Sequence, residues 1–339
     1  MQLAIECDVS LAPYNTFGVD VRAARFVRIG RAEELGELLA DPTWQTLPRL
    51  VLGGGSNLLL TRDFDGLVIR IEIPGFEPLG VEAGHHLVRV GAGENWHGSV
   101  ERLLDESLPG LENLALIPGA VGAAPIQNIG AYGIELAERF HSLDAFDTAS
   151  GEKRAMDAAE CGFGYRDSVF KQSPGRYVVL SVTLALPEQW QPVTGYADVE
   201  NELKGRGIAE PGPRDVFDAV VAIRRRKLPD PAVIGNAGSF FKNPVVSRQE
   251  RNELIAHHPS LVSYDIGGGR YKLAAGWLID ACGLKGYARG RAAVYDRQAL
   301  VLVNRGGATG AEILQLAHEV QERVAKKFGV ALEPEPVIV

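Results

Sequence analysis

The chain has 339 residues, 46% of them apolar and 23% charged, with a formal net charge of -8 at pH 7. Such a composition belongs to a folded protein with mass enough for two or three domains, and it excludes the disordered classes. The acidic balance argues against a nucleic-acid surface, which needs a one-sided basic excess, while a small anionic ligand needs only a local cluster. Cys7, Cys161 and Cys282 lie far apart without C-x-x-C spacing, so reduced cysteines are expected rather than a zinc site or a disulfide framework. No stretch approaches the ~18 apolar residues of a membrane span, and a start carrying Glu6 and Asp8 does not read as a signal peptide. The expectation is a cytoplasmic protein without membrane insertion.

In chain order, residues 26–29 read as a strand, 32–40 as a helix that Pro42 ends, and 50–52 as a second strand, a compact βαβ-like start. The apolar run Leu50, Val51, Leu52 feeds Gly53-Gly54-Gly55-Ser56-Asn57, and Leu58-Leu59-Leu60 follows. A buried strand thus leads into a turn nearly free of side chains, whose N–H groups can face phosphate oxygens. The turn has neither the Lys-Ser/Thr of a P-loop nor the G-x-G-x-x-G of a Rossmann fingerprint. Residues 68–186 hold mainly short strands (68–71, 87–90, 177–186) and one helix near 96–106, a second α+β lobe. Inside it, residues 118–133, PGAVGAAPIQNIGAYG, combine glycines with the amides of Gln127 and Asn128, suited to a ring edge of donors and acceptors. Two such loops favour a dinucleotide such as a flavin. Residues 189–210, with Pro192, Gly195, Gly205 and Gly207, read as a loop or hinge.

The later part is richer in helices with readable ends. Asp215 and Asp218 sit early, and Arg224, Arg225, Arg226 and Lys227 late, in one helix, matching its macrodipole at both ends. Ser247 with Glu250, and Thr309 with Glu312, form capping boxes. In the last helix Ile313, Leu316, Val320 and Val324 share one face, and Gly329 is its stop. The tail, 330–339, is extended and must dock. No repeat or low-complexity segment interrupts the chain.

Several residues carry candidate chemistry, each with a plainer reading beside it. Ser239, in Gly235-Asn236-Ala237-Gly238-Ser239-Phe240-Phe241-Lys242-Asn243-Pro244, is either a proton donor or a turn serine capping local backbone. Without Gly-x-Ser-x-Gly or a nearby histidine, an acyl-transfer triad has little support. The histidines, including His85-His86 and His257-His258, show no metal-ligand spacing and read as surface residues. The cations of 224–227 read as a solvated helix end, except that Lys227, stopped by Leu228-Pro229, could hold a diphosphate. Arg166 either pairs with Asp167 or grips a carboxylate from its Gly-flanked turn. Glu333 and Glu335 alternate with Pro334 and Pro336 in what otherwise reads as an acidic end.

Taken together these motifs resemble the UDP-N-acetylenolpyruvoylglucosamine reductases (MurB). The resemblance runs from Tyr14-Asn15-Thr16-Phe17-Gly18 through GGGSNLLL, IPGAVGAAPIQNIGAYG, FGYRDSVFK, RKLPDP, GNAGSFFKNP, AGWLIDACGLKG and QALVLVN to LEPE. It implies an α+β fold: a two-lobed FAD-binding domain of the PCMH/vanillyl-alcohol-oxidase type (1–67 and 68–211, with a substrate loop near Tyr196), a UDP-sugar domain (212–328) and a tail (329–339) carrying a catalytic glutamate. It also implies non-covalent FAD, NADPH as co-substrate, and UDP-N-acetylglucosamine enolpyruvate as the compound reduced, in peptidoglycan precursor synthesis. By the same resemblance Ser239 is the proton donor, with Glu335 and Arg166 the other catalytic residues, while Tyr196, Lys227, Asn243 and Gln298 bind substrate. Flavin contacts fall on Gly53, Gly54, Gly55, Ser56, Asn57 and Leu58, and on Gly119, Gly122, Ala123, Ala124, Pro125, Gln127, Asn128, Ile129 and Gly130. Ala123 and Ala124 stand where many relatives carry hydroxyls, leaving backbone alone to make contacts there. Pro336 follows Glu335 where an aliphatic residue is usual. The rival readings are another flavin oxidoreductase on the same architecture, acting on a sugar or alcohol, and a non-catalytic UDP-sugar or flavin-binding protein.

Overall fold

A computed structural model describes residues 3–339. The chain divides into two compact units, neither continuous in sequence: residues up to Val9, Ala23–Gly55 and Phe64–Arg226 make the first, and Ser10–Arg22, Ser56–Asp63 and Lys227–Val339 the second. This division differs from the contiguous lobes expected from sequence. The helix Pro213–Lys227 was expected to open the third lobe, yet it buries Val216, Phe217, Val220 and Ile223 in the core of the first unit. Burial of its apolar face, which the sequence leaves unassigned to any partner, decides its membership.

The first unit contains two sheets. In one, Arg22–Ile29 and Arg49–Leu52 both run parallel to Phe64–Ile71 between them, with Glu6–Ser10 on the far edge. The helix Ala32–Ala40 makes the crossover that parallel strands require. Pro42 does not merely end that helix: Asp41 caps a short new one, Pro42–Gln45, by accepting from the Thr43 N–H, with proline at the first turn. The other sheet is antiparallel, in the order Glu152–Asp157, Phe140–Asp147, Tyr177–Pro187, His85–Gly91, Phe76–Glu82. Tyr177–Pro187 lies at its centre, and its near-continuous apolar run is buried on both faces.

The expected hinge at 189–210 is instead anchored at one end and helical at the other. Ala197–Gly205 is a helix that buries Val199 and Leu203. Gly195 precedes its cap, Tyr196, and Gly207 (φ 73°) follows its last turn, so the glycines bound the element rather than break it. Upstream, the buried Asn113 amide donates to the carbonyls of Tyr132 (2.7 Å) and Val193 (2.8 Å). Glu112, 2% exposed, accepts from Gly110 N (2.7 Å) and Trp190 Nε1 (3.3 Å).

In the second unit Gly235–Ser239, Val301–Asn304, Ala292–Val294 and Ala288–Arg289 form one sheet in that order, and Val245–Ser247, Arg270–Leu273 and Ser263–Asp265 another. The helix Gly310–Phe328 is capped by Thr309 and Glu312 as its sequence dictates, buries Ile313, Leu316, Val320 and Val324, and ends at Gly329 (φ 68°). The helix Arg248–His257 starts at the Ser247–Glu250 box. The Tyr14–Gly18 motif proves structural. Asn15 closes a loop by bonding Leu11 O (2.7 Å) and Val19 O (2.9 Å), and Phe17 O accepts from Asn304 Nδ2 (2.9 Å). Main chain presses on main chain here: a Cβ on Gly235 would lie 2.2 Å from Phe17 O.

Two outcomes follow for stability. Gly235→Ala should cost about 1–3 kcal/mol, since only backbone could yield, whereas Gly98→Ala should gain up to about 1 kcal/mol. Gly98 is helical, and a Cβ there meets only the Asn95 side chain, at 3.5 Å and beyond. Urea denaturation midpoints of the two variants check the contrast. Burial, the largest influence on the Glu112 carboxyl, holds it above its ordinary value. A raised folded-state value means a contribution that is full below about pH 4, where the unfolded carboxyl also begins to titrate, and that is lost as pH rises through the folded value. Melting curves across pH should therefore show the stability of the native chain, relative to Glu112→Gln, falling in that direction.

Candidate active site

In the first unit the two glycine-rich loops touch. A Cβ on Gly54 would lie 2.5 Å from Gly119 Cα, and one on Gly122 would lie 2.6 Å from Ala92 Cβ. Gly53 O accepts from Arg70 Nη1 (2.6 Å), tying the first loop to its sheet. Gly55 and Gly119 take left-handed φ of 61° and 124°, which only glycine adopts at little cost. Residues 118–133 form two short 3-10 turns, Val121–Ala123 and Pro125–Gln127, and then the hairpin Gly130–Ala131 with Ile134–Glu135. Ala124 and Pro125 are buried inside them.

Asn128 departs from its expected role. It is 1% exposed and left-handed (φ 43°), and its amide nitrogen donates to Glu135 Oε2 (2.8 Å) and Gly164 O (3.2 Å) while Oδ1 accepts from Ala137 N (2.9 Å). The side chain folds the loop instead of facing a ligand. Gln127 is half-buried and Ile129 is held by Ala124 O, which its N–H reaches at 3.1 Å.

Arg166 also takes a left-handed φ of 54°, unusual for a long side chain and a mark of a constrained site. It does not pair with Asp167, whose carboxylate accepts from Ser168 N and Gln172 Nε2. Its Nη2 donates to Gly130 O (2.6 Å), and its guanidinium stands 5.5 Å from the Tyr165 ring centre. Two residues along, Tyr132 (φ 48°) meets Tyr196 edge to face at 5.3 Å. Arg166, Gly130 and Tyr196 therefore share one neighbourhood of the first unit.

Sequence reasoning missed Arg224 there. Among the cations of the helix end, Arg225 and Arg226 are exposed and Arg226 pairs with Glu202, but the Nε of Arg224 is buried without a hydrogen-bond partner. Burial, above all, holds its guanidinium below the usual value, and Arg166 adds to the effect. Helical spacing carried the signal: Arg224 lies seven, four and three residues after the buried Phe217, Val220 and Val221. His97 is likewise not a surface residue. It stacks on Phe217 at 5.6 Å, accepts from Leu116 N, and burial keeps its ring below the ordinary histidine value.

The second unit gathers the other candidates. Ser239 ends its strand opposite Val301, beside an irregularity where Gly238 (φ 68°) turns the chain and the buried Asn236 braces it, accepting from Gly238 N (2.9 Å) and donating to Ile234 O (2.8 Å). The Ser239 hydroxyl has no hydrogen-bond partner among the described residues. The tail docks beside it: Glu335 N donates to Phe240 O (2.9 Å), Lys242 N to Glu333 O (2.9 Å), and Val337 pairs in parallel with Leu58. Pro336 removes no bond from this arrangement, since the N–H groups of Glu335, Val337 and Val339 carry it. Glu335 is 8% exposed, and its carbonyl accepts from Asn57 Nδ2 (3.2 Å). Asn57 and Leu58 thus serve the tail. Asn243 and Gln298 converge on the start of the helix Ala275–Ala281: Asn243 Oδ1 accepts from Ala275 N (2.9 Å), and Gln298 Oε1 lies 3.0 Å from where a Gly276 Cβ would stand. Lys227 ends the helix Pro213–Lys227 and belongs to the second unit.

The donor set fits an anionic dinucleotide. Residues 53–58 and 118–133 contain no acidic side chain, and in Gly54 and Gly122 close packing removes the side chain altogether. Among the described residues no group of acids, histidines and cysteines could hold a metal ion, and no helix is long and apolar enough to cross a membrane.

Comparison with known proteins agrees with this chemistry. Residues 23–156 match the FAD binding domain family, and residues 230–339 match the C-terminal domain family of UDP-N-acetylenolpyruvoylglucosamine reductase. Relatives of that name include one from Ralstonia nicotianae, 56% identical over 97% of both chains, and one from an Azoarcus species, 57% identical over 99% of this chain and 98% of its own. The crystal structure of UDP-N-acetylenolpyruvylglucosamine reductase (MurB) from Thermus caldophilus is 27% identical with a TM-score of 0.70, covering 99% of each chain. The fold is accordingly the α+β one expected, a PCMH-type FAD-binding part with a C-terminal domain. On identity and coverage together, the chain belongs to the UDP-N-acetylenolpyruvoylglucosamine reductase family.

Proposed function

We propose that the protein is an FAD-dependent oxidoreductase that uses NADPH to reduce UDP-N-acetylglucosamine enolpyruvate to UDP-N-acetylmuramate, a step of peptidoglycan precursor synthesis in the cytoplasm. Family membership supports the reaction class, and the observation that carries the assignment of roles lies in the second unit. There the unpartnered Ser239 hydroxyl sits next to Phe240, whose carbonyl holds the main chain of the buried Glu335. A hydroxyl with no protein partner, next in the chain to the residue that holds the Glu335 main chain, is equipped to hand a proton to a ligand.

Bound FAD, reduced by NADPH, would supply a hydride from N5 to the enolpyruvyl methylene carbon. This chain's residues meet the charge that the addition drives toward the neighbouring carbon and its carboxylate. Arg166, pinned by Gly130 O, holds the carboxylate with a guanidinium fork. Ser239 gives its proton to the carbon next to that carboxylate, and Glu335 assists the charged intermediate. Lys227 takes the diphosphate, while Asn243, Gln298 and Tyr196 orient the rest of the sugar nucleotide. The main chains of Gly53–Ser56 and Gly119–Gly130 would hold the cofactor, their N–H groups in left-handed turns being suited to its diphosphate. Since Asn128 is engaged within its own loop, its share of that contact comes from backbone alone.

Purified protein should be yellow and should oxidise NADPH steadily only when the enolpyruvyl sugar nucleotide is present, one product formed per NADPH consumed. Ser239→Ala should lose about 10²- to 10⁴-fold in turnover while NADPH still bleaches the flavin at the native rate in stopped flow. Near-native turnover in that variant would remove Ser239 from the role of proton donor.

A further inference from the structure

Between the strand Tyr177–Pro187 and the helix Ala197–Gly205 the chain has little of its own to hold it. Among the described residues, 189–195 form no hydrogen bond from main chain to main chain. Two adjacent side chains of the turn Glu112–Leu114 hold the segment instead. Glu112 Oε2 accepts from Trp190 Nε1 (3.3 Å), and Asn113 Nδ2 donates to Val193 O (2.8 Å). Glu112 and Asn113 are almost wholly buried, at 2% and 1% exposed, although most of 188–196 is exposed or half-buried. Buried polar groups are costly unless bonded, and these two direct their bonds at chain that water could otherwise have served.

Asn113 uses both of its amide hydrogens. The second reaches Tyr132 O (2.7 Å), in the two-residue turn that joins Gly130–Ala131 to Ile134–Glu135. Tyr132 and Gly133 have φ of 48° and 92°, and a hairpin turn with positive φ at both central residues favours Asn or Asp before Gly. Tyrosine is held there against its preference, and such strain persists only where surrounding contacts enforce it. The segment 190–196 supplies those contacts together with Asn113. A Cβ on Gly133 would lie 3.3 Å from Val193 Cγ1, and the Tyr196 ring meets the Tyr132 ring edge to face at 5.3 Å. One buried amide therefore joins the hairpin of the second glycine-rich loop to the chain three residues before Tyr196. On the other side the helix Ala197–Gly205 fixes Tyr196, whose carbonyl accepts from Val199 N (2.9 Å) and Glu200 N (3.1 Å). Tyr196 is itself 43% exposed, so main-chain anchors and Tyr132 direct its ring more than burial does.

We infer that Asn113 is a positioning residue for the sugar nucleotide: by holding Val193 and Tyr132 together, it keeps the Tyr196 ring against the hairpin and ready for substrate. Glu112 assists through Trp190. This rests on the proposed contact of Tyr196 with the sugar nucleotide. The gain is preorganisation, because a ring already in place loses less freedom when the ligand arrives. Without the amide, the Tyr132 and Val193 carbonyls lose their donor and the segment is released, so binding must then order it and affinity falls. The hairpin keeps its own ladder and the Asn128 bonds to Glu135, Gly164 and Ala137, which leaves the cofactor loop standing.

Titration calorimetry of UDP-N-acetylglucosamine enolpyruvate into the FAD-loaded protein, without NADPH, tests this on the native chain, Asn113→Ala, Tyr196→Ala and the double variant. Asn113→Ala should bind about 5- to 50-fold more weakly, the range for two neutral hydrogen bonds, with FAD retained. In turnover its KM for the sugar nucleotide should rise while kcat holds. The double variant should bind no more weakly than Tyr196→Ala, because Asn113 acts through that ring. An amide that merely supports the fold would give additive losses, and additivity overturns the inference. So does native affinity in Asn113→Ala, or loss of FAD with sugar-nucleotide affinity intact. Trp190→Phe keeps a ring and removes only the donor to Glu112. It should weaken binding about 2- to 5-fold in the same non-additive way, and it decides alone if Asn113→Ala does not fold. Failure of the underlying reading looks different: Tyr196→Ala would itself bind as the native chain does, or the native chain would not bind the sugar nucleotide at all.

Discussion

Direct contact between main chains, possible only where a side chain is missing, is the constraint on which the architecture of both units depends. Gly54 lies on Gly119, Gly122 on Ala92, Gly235 on Phe17 and Gly310 on Leu60, each so close that a single added carbon would overlap its neighbour. In the first unit these contacts bring two loops of exposed amides together. In the second they hold the Ser239 strand and the start of the longest helix against the segments 10–22 and 56–63. The loops are therefore rigid despite their glycine content, because the glycines are used for closeness more than for freedom. Rigidity of this sort is what preorganised amide dipoles need in order to act on an anion.

Much of this was legible in the chain itself. Capping boxes at Ser247 and Thr309, the apolar stripe from Ile313 to Val324 and the terminal Gly329 rest on local chemistry, and the structure has each where the residues put it. The segment 189–210 differs from its expected loop for an equally local reason. Glycine and proline can punctuate the boundaries of a helix as well as prevent one, and only the burial of Val199 and Leu203 distinguishes the cases. Domain membership was less legible still, because each unit takes pieces from distant parts of the chain, and pairing across such distances leaves little periodic trace.

The candidate site divides in the same way. Ser239, Glu335, Asn243 and Gln298 carry a motif-level signal, and the second unit brings them to adjoining positions on one sheet edge and one helix start. Asn128 was read from its residue type, and its amide turned out to be spent on Glu135, Gly164 and Ala137. Arg224 was hidden by its neighbours. A run of cations at a helix end invites one explanation for all, yet a 100° step per residue sends consecutive side chains into different environments, and the one pointing inward has a different chemistry from the two that do not.

The docking of the tail carries a consequence for how the protein reaches its native state. Asn57 and Glu335, joined by a hydrogen bond, are separated by 278 positions, and the Leu58–Leu59 strand finds its partner at Val337–Ile338. On the ribosome the early segment must wait, its ladder edge bare, until synthesis has passed Val337–Ile338. Closing so large a loop carries a high entropic barrier and comes late. Assembly of the Glu335 environment thus follows that of the segments between, and a chain that stops short of Val337–Ile338 cannot present that carboxylate in its native setting.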